Sequence, residues 1–181
     1  MVVDSAGYTD NDLRALAGVV EQLCQIGVAV SDLNWGRLTP YRQLFARFFD
    51  SVECRDNLAM IGEVRVEGHA ATGRLLAGWL KAQMDKSGHG LPRERINLIA
   101  ADPAGISFRS LVMTCSGGEN TFAVTRADDC TLEARTTLGA QTGSRVVKAS
   151  CTSVDQLLTD EITLSGRDAV FETALAAAAS L

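Results

Sequence analysis

The stretch Asn120-Thr-Phe-Ala-Val-Thr-Arg126, then Ala127-Asp-Asp129, then Thr131-Leu-Glu-Ala-Arg-Thr-Thr137 decides the fold class. Apolar and polar residues alternate with a period near two on both sides of a short polar connection, the pattern of two strands joined by a turn. The same period extends outward. Upstream it predicts strands near Ile96–Ala100 and Ile106–Cys115, joined through Asp102-Pro103-Ala104-Gly105, with Ser116-Gly117-Gly118-Glu119 as the next turn. Downstream, Leu138–Gly143 leads to a strand near Arg145–Cys151. Connections this short suit antiparallel neighbours, so the segment reads as a meander. Arg109, Arg126, Glu133 and Arg135 interleave with apolar positions, which predicts one helix-covered face and one more polar face.

Before the meander the period is helical. Thr9-Asp10-Asn11-Asp12 offers an N-cap with acid in the first turn, and Leu13, Leu16, Ala17, Val20, Leu23 and Cys24 form one stripe. That predicts a helix from about Asp10 to Ile26, stopped by Gly27. Ser31–Gly36 reads as a loop or short strand. Thr39 as N-cap and Pro40 at the first position open a second helix to about Asp50, burying Leu44, Phe45, Phe48 and Phe49 with Arg42 and Arg47 off the stripe. A strand over Met60–Glu67 precedes a third helix, opened by Thr72 or Gly73 and running Arg74–Met84. Ser153-Val-Asp-Gln156 has a capping-box pattern. Ser165-Gly-Arg-Asp168 offers a second cap before Val170, Phe171, Ala174, Leu175 and Ala178. The expected fold is α+β (α/β in the broad sense): a largely antiparallel sheet packed with helices from the amino-terminal part and two carboxy-terminal helices.

Composition bounds the function. The chain has 181 residues, with 17 Lys+Arg against 22 Asp+Glu and a formal charge of −5. An acidic chain lacks the basic footprint of a nucleic-acid binder and is not drawn to an anionic membrane. There is no apolar run of membrane-spanning length and no basic-then-apolar leader pattern, which points to a cytoplasmic protein. Cys24, Cys54, Cys115, Cys130 and Cys151 are scattered without a Cys-x-x-Cys, the pattern of intracellular thiols rather than a zinc site. His69 follows a strand and His89 sits between glycines, with no ligand spacing between them. No phosphate-binding loop, nucleophile elbow or dinucleotide fingerprint is present, and Ser116–Gly118 fits a turn better than an anion nest. No catalytic residue, metal site or cofactor is therefore assigned.

The densest signal is Asp32-Leu-Asn-Trp-Gly-Arg-Leu-Thr-Pro-Tyr-Arg-Gln-Leu44. Trp, Tyr and Arg are enriched at interface hot spots. The same pattern also fits a staple that packs Trp35 or Leu38 onto the first helical turn. This stretch resembles the Asp-Leu-x-Trp-x-Arg-Leu-Thr-Pro-Trp-Arg-Glu-Leu signature of the OpcA family, the glucose-6-phosphate dehydrogenase assembly proteins of cyanobacteria and actinobacteria. Tyr41 stands for the usual Trp and Gln43 for the usual Glu. Gly73-Arg-Leu-Leu-Ala-Gly-Trp-Leu80 is similar to a helix of that family, and so are Ser153–Leu181 and the opening Val2-Val3-Asp4-Ser5.

The resemblance implies a non-catalytic partner of glucose-6-phosphate dehydrogenase that promotes its oligomerisation and activity in the oxidative pentose phosphate pathway. It also implies that residues 1–181 form a single domain corresponding to the C-terminal domain of a longer two-domain protein. Trp35, Arg37, Tyr41 and Arg42 are the partner-binding candidates, the two arginines each offering a planar fork to a carboxylate. The same residues could instead lock this domain to a neighbouring one. Some cyanobacterial members are regarded as thiol-regulated, which directs attention to one pair here. If Thr137 pairs with Ser144 across the last hairpin, Cys130 falls opposite Cys151, within disulfide reach. That makes Cys130 and Cys151 the redox candidates. Rival readings are a small-molecule-binding sensor or a sugar-phosphate enzyme, which predict a deep pocket, with a histidine beside paired carboxylates for the enzyme. A flat patch around Trp35 would favour the binding module.

Overall fold

A computed structural model describes residues 1–101, 108–149, 153–163 and 166–181. Its frame is a six-stranded sheet in the order β4-β3-β5-β6-β7-β8. The strands are β3 (Ile61–Gly68), β4 (Ile96–Ala100), β5 (Phe108–Cys115), β6 (Asn120–Asp128), β7 (Thr131–Leu138) and β8 (Gln141–Lys148). From β3 through β5 to β8 every neighbouring pair is antiparallel, so the meander is present. β4 departs from it. It pairs parallel with β3, Val64 opposite Ile96 and Glu67 opposite Ile99. The cause is the long helix α5 (Ala70–Lys86) between them, which carries the chain back to the starting end of β3 and makes a parallel return the natural one.

One sheet face is dry. Val64, Val66, Leu111, Met113, Phe122 and Val124 are fully buried on it. Helix α5 lies over β3 and β4, and α3 (Thr39–Ala46) with its following one-turn helix lies over β6 and β7, ahead of the short α4 (Val52–Arg55). Phe48 and Phe49 lean on Phe122, ring centroids 5.7 and 4.9 Å away. On the far side of α5 sits α7 (Ala169–Ser180), and on α7 sits α1 (Asp10–Gln25). The α5–α7 crossing is close because Gly78 has no side chain. A Cβ there would run into the Ala174 carbonyl oxygen and lie 2.5 Å from the Ala178 nitrogen.

Local chemistry sets the helix ends. Thr9 and Asp12 form a reciprocal capping box at the start of α1, and Gly27 takes a φ of +78° just past its end. Residues 31–37 hold more structure than a loop. β2 (Ser31–Asp32) pairs parallel with β1 (Val2–Val3), and α2 (Leu33–Arg37) follows, capped by Asp32. Leu38, not Thr39, is the N-cap of α3. Thr39 is already helical and its hydroxyl accepts from Arg42 Nη2 at 2.8 Å. Helix α5 opens at Ala70, earlier than Thr72, because the chain turns from β3 directly through an extended His69 whose carbonyl accepts from the Gly73 N–H at 2.8 Å.

The last hairpin closes more tightly than expected. Gly139, at a φ of +56°, and Ala140 form a two-residue connection, so Leu138 faces Gln141 and Arg135 faces Ser144. Thr137 thus pairs with Thr142 rather than Ser144, a shift of two residues that preserves which side chains share a face. At the carboxy-terminal end, Ser153 Oγ accepts from Gln156 N at 3.2 Å to cap α6 (Val154–Thr163). Asp168 caps α7, accepting from the N–H groups of Val170 and Phe171 at 2.9 and 3.0 Å. The expected cap Ser165, the turn Asp102–Gly105 and the first two residues of the strand expected from Ile106 lie outside the described residues.

Candidate functional site

The motif 32–44 begins in a buried polar network. Asp32 Oδ1 accepts from the backbone N–H groups of Asn34 and Ser5, at 2.9 and 3.0 Å, and Oδ2 accepts from Ser5 Oγ at 2.5 Å. Asn34 donates to Ser5 Oγ, and Thr72 donates to Asn34 Oδ1, both at 3.1 Å. Ser5, Asp32, Asn34 and Thr72 are all buried. Burial raises the Asp32 carboxyl above its usual range, against the pull of its hydrogen bonds from Ser5 and Asn34. The network fastens the amino-terminal turn, the motif and α5 to one another, with every one of these polar groups partnered.

The aromatic and arginine residues complete a clasp. Trp35 is 4% exposed. Its Nε1–H donates to Asp168 Oδ2 at 2.8 Å, and its ring lies 5.7 Å from that of Phe171, so it grips the first turn of α7. The Arg42 guanidinium is stacked over the Trp35 ring, 3.4 Å from its centroid. Its Nη2 donates to Thr39 Oγ1 and to the Trp35 carbonyl, while its Nε is buried without a hydrogen bond. Burial pushes Arg42 down to about 10, against the upward pull of Asp168 and Glu161, so it stays charged at neutral pH. A cation stacked on indole in this way contributes about 0.5–2 kcal/mol.

Arg37 makes a two-pronged bond to Asp4, at 2.6 and 2.8 Å, which holds the Asp4 carboxyl below its usual range. Tyr41 is buried and meets Phe108 edge-on at 4.4 Å. The structure therefore brings all four sequence-selected residues into one neighbourhood but turns Trp35 and Tyr41 inward and gives both arginine forks internal acceptors. Trp35 and Tyr41 are buried, whereas the two arginines are half-buried, Arg37 with 29% of its side chain exposed.

Beside the clasp is a cavity of about 480 Å³ between α2–α3, the β6–β7 turn and α6. Arg37, Tyr41, Arg126, Asp129, Asp160 and Glu161 are among its walls. Arg126 is tied to the carbonyls of Asp128 and Asp129, each at 3.1 Å. Neither histidine lines it. His69 borders a separate depression with Tyr8, Asp10 and Arg14, and its buried Nδ1 has no partner. His89 is exposed just past α5. Among the described residues no group of three or more His, Cys, Asp or Glu is placed to hold a metal, and no helix is long and apolar enough to cross a membrane.

The thiols differ in state. Cys115 is buried in the sheet and pushed up to about 11 by burial. Cys24 is raised by partial burial and by Glu172. Neither has the depressed pKa of a reactive cysteine. Cys130 is disulfide-bonded, and its carbonyl accepts from Ala149 N at 2.7 Å, whereas Cys151 lies outside the described residues. Sequence reasoning missed Asp4, Asp168 and the Ser5–Asn34–Thr72 network. Asp168 is 133 positions from Trp35, and no local pattern links them.

Residues 28–175 match the family described as the C-terminal domain of a glucose-6-phosphate dehydrogenase subunit. A Nostoc punctiforme protein, provisionally named OxPP cycle protein OpcA, is 32% identical over 88 residues, which is 47% of this chain and 18% of that protein. A Synechocystis protein of the same name is 32% identical over 89 residues, covering 46% of this chain and 18% of its own length. One from Synechococcus elongatus is 28% identical over 87 residues, covering 46% and 19%. The matches thus span about a fifth of these relatives.

Proposed function

The chain belongs to the OpcA family, through a domain known as the C-terminal part of a glucose-6-phosphate dehydrogenase subunit, and on that premise we propose that it is a non-catalytic assembly factor and activator of glucose-6-phosphate dehydrogenase in the oxidative pentose phosphate pathway. The match over residues 28–175 carries this reading. The site supports it, since Asp32, Asn34, Trp35, Arg37 and Arg42 are held by internal contacts and neither histidine is among the described residues that line the cavity beside the carboxylates. Within the same proposal, residues 1–181 act as one domain equivalent to part of the longer relatives. Trp35, Arg37, Tyr41 and Arg42 serve binding by fixing the shape of the surface, with the half-buried Arg37 and Arg42 the ones a partner could touch. Cys130 and Cys151 are the proposed redox pair, tested by thiol labelling before and after reduction.

Activation requires that the protein bind the active oligomer of the enzyme more tightly than the inactive one, because equal binding shifts no equilibrium. The test is sedimentation and steady-state kinetics of the dehydrogenase from the same organism, with and without the protein. A larger enzyme assembly with raised activity is expected. Unchanged size together with unchanged kinetics sinks the reading.

The cavity favours a second reading, a metabolite-sensing domain. It predicts a rise in Tm with millimolar glucose 6-phosphate, 6-phosphogluconate or NADPH, and a flat response to all three removes it.

A further inference from the structure

β8 is the outer strand of the sheet, and no described strand pairs with its far side. Seven of its eight residues, Gln141 to Val146 and Lys148, are exposed, Val146 to 67%. The helices that cover β6 and β7 stop short of it. The Ala149 N–H points at the Cys130 carbonyl. Backbone groups alternate sides along a strand, so the N–H and C=O groups of Thr142, Ser144, Val146 and Lys148 face away from β7.

The charge at this corner runs against the rest of the chain. Between α3 and the inner side of β7–β8 is a groove of about 280 Å³ floored by Leu44, Phe48 and Ala134 and rimmed by Arg47 and Arg145. Among the described residues no carboxylate lines it. Arg47, Arg145 and Lys148 form no ion pair among the described residues, although most other arginines do. In a chain of net charge −5, two unpaired arginines share the groove on the inner face and Lys148 stands on the outer face of the same strand, so the open edge is flanked by positive charge. Edge strands are blunted by shortness, proline, bulges, a covering element or charged side chains. β8 is eight residues long with no proline and no bulge, and the charges it does carry, Arg145 and Lys148, oppose a like-charged strand while leaving the edge open to an acidic one.

We propose that the free edge of β8 accepts an extended acidic segment of a partner protein as an added strand, with its carboxylates at alternate positions facing Arg145 and Arg47. The backbone ladder supplies affinity, and the groove between Phe48 and Arg145 reads the alternate side chains. A second copy of this chain is a poorer occupant, because each copy would bring its own Arg145 and Lys148 to the seam.

The probe is a labelled eight-residue peptide of alternating Thr and Glu, with the Thr and Lys version as control, followed by fluorescence anisotropy on the full chain. It does not involve the dehydrogenase, so its failure leaves the assembly reading standing and the reverse. The Glu peptide is expected to bind, more weakly as salt rises, and to protect the amides of Thr142, Ser144, Val146 and Lys148 from exchange. Arg145→Glu should weaken binding about tenfold. Val146→Pro removes an outward N–H that has no internal partner, so it should abolish binding while circular dichroism stays unchanged. Absence of binding, equal binding of the Lys peptide, or full binding by Val146→Pro overturns the proposal. So does a dimer in sedimentation that Val146→Pro dissolves.

Discussion

The clasp around Trp35 and the outer strand β8 lie at opposite extremes of the same molecule. In the clasp each charged group that the motif presents is met from inside: Arg37 by Asp4, Arg42 by the Trp35 ring, and the Trp35 N–H by Asp168. On β8 the cations form no ion pair among the described residues, and only Val147 of the strand packs against the core. The recognisable motif is thus the part of the surface with least left to offer a partner, while the part with most to offer carries no signature. A dense patch of Trp, Tyr and Arg marks either an interface or a fold-closing device, and burial decides which.

The contrast can be broken by mutation. The largest effect is expected from Trp35→Ala, which empties a buried indole site, frees Arg42 and leaves Asp168 without its donor. A loss of about 3–5 kcal/mol in urea unfolding should follow. If it destabilised no more than a substitution on β8, the clasp would not be a closing device. Gly78→Ala should cost about 1–3 kcal/mol by wedging α7 away from α5, read as a fall in Tm with retained helix content.

A smaller, pH-dependent effect tests the Arg37–Asp4 link. Asp4 has a lowered pKa in the folded protein, so its contribution is present above the usual value of 3.8 and is lost as pH falls through the folded value. The Tm gap between wild type and Asp4→Asn should therefore be widest near neutrality and close on acidification below about 3.8. The smallest effect belongs to Arg145→Ala, with stability changed by less than about 0.5 kcal/mol. A large loss there would show that β8 is held by contacts its exposure does not suggest.

What could be read from sequence followed the range of the interaction. The alternation of Thr131–Thr137 and the capping box at Thr9 and Asp12 are local patterns, and both appear in the fold. The five residues of β4 alternate identically whether the strand runs up or down, so its parallel pairing needed the path of α5 to become apparent. The register of the last hairpin turned on whether Gly139 or a longer loop made the bend. Arg42 does lie off the apolar stripe of α3, as expected. The residue that covers its other side, Trp35, belongs to the preceding helix, beyond a bend at Leu38 that helical periodicity does not cross. The site residues were found by type, but their inward orientation depends on Asp4 and Asp168, whose distance along the chain leaves no local trace.

The bond from Trp35 to Asp168 also has a consequence in time. On the ribosome the motif emerges 133 residues ahead of its acceptor. At roughly 5–20 residues per second that is a delay of about 7–27 seconds. During that interval the indole lacks the first turn of α7, whose Phe171 ring will lie against it, so the nascent chain offers an apolar surface that the finished protein hides. The clasp is thus one of the last contacts of the domain to form during synthesis.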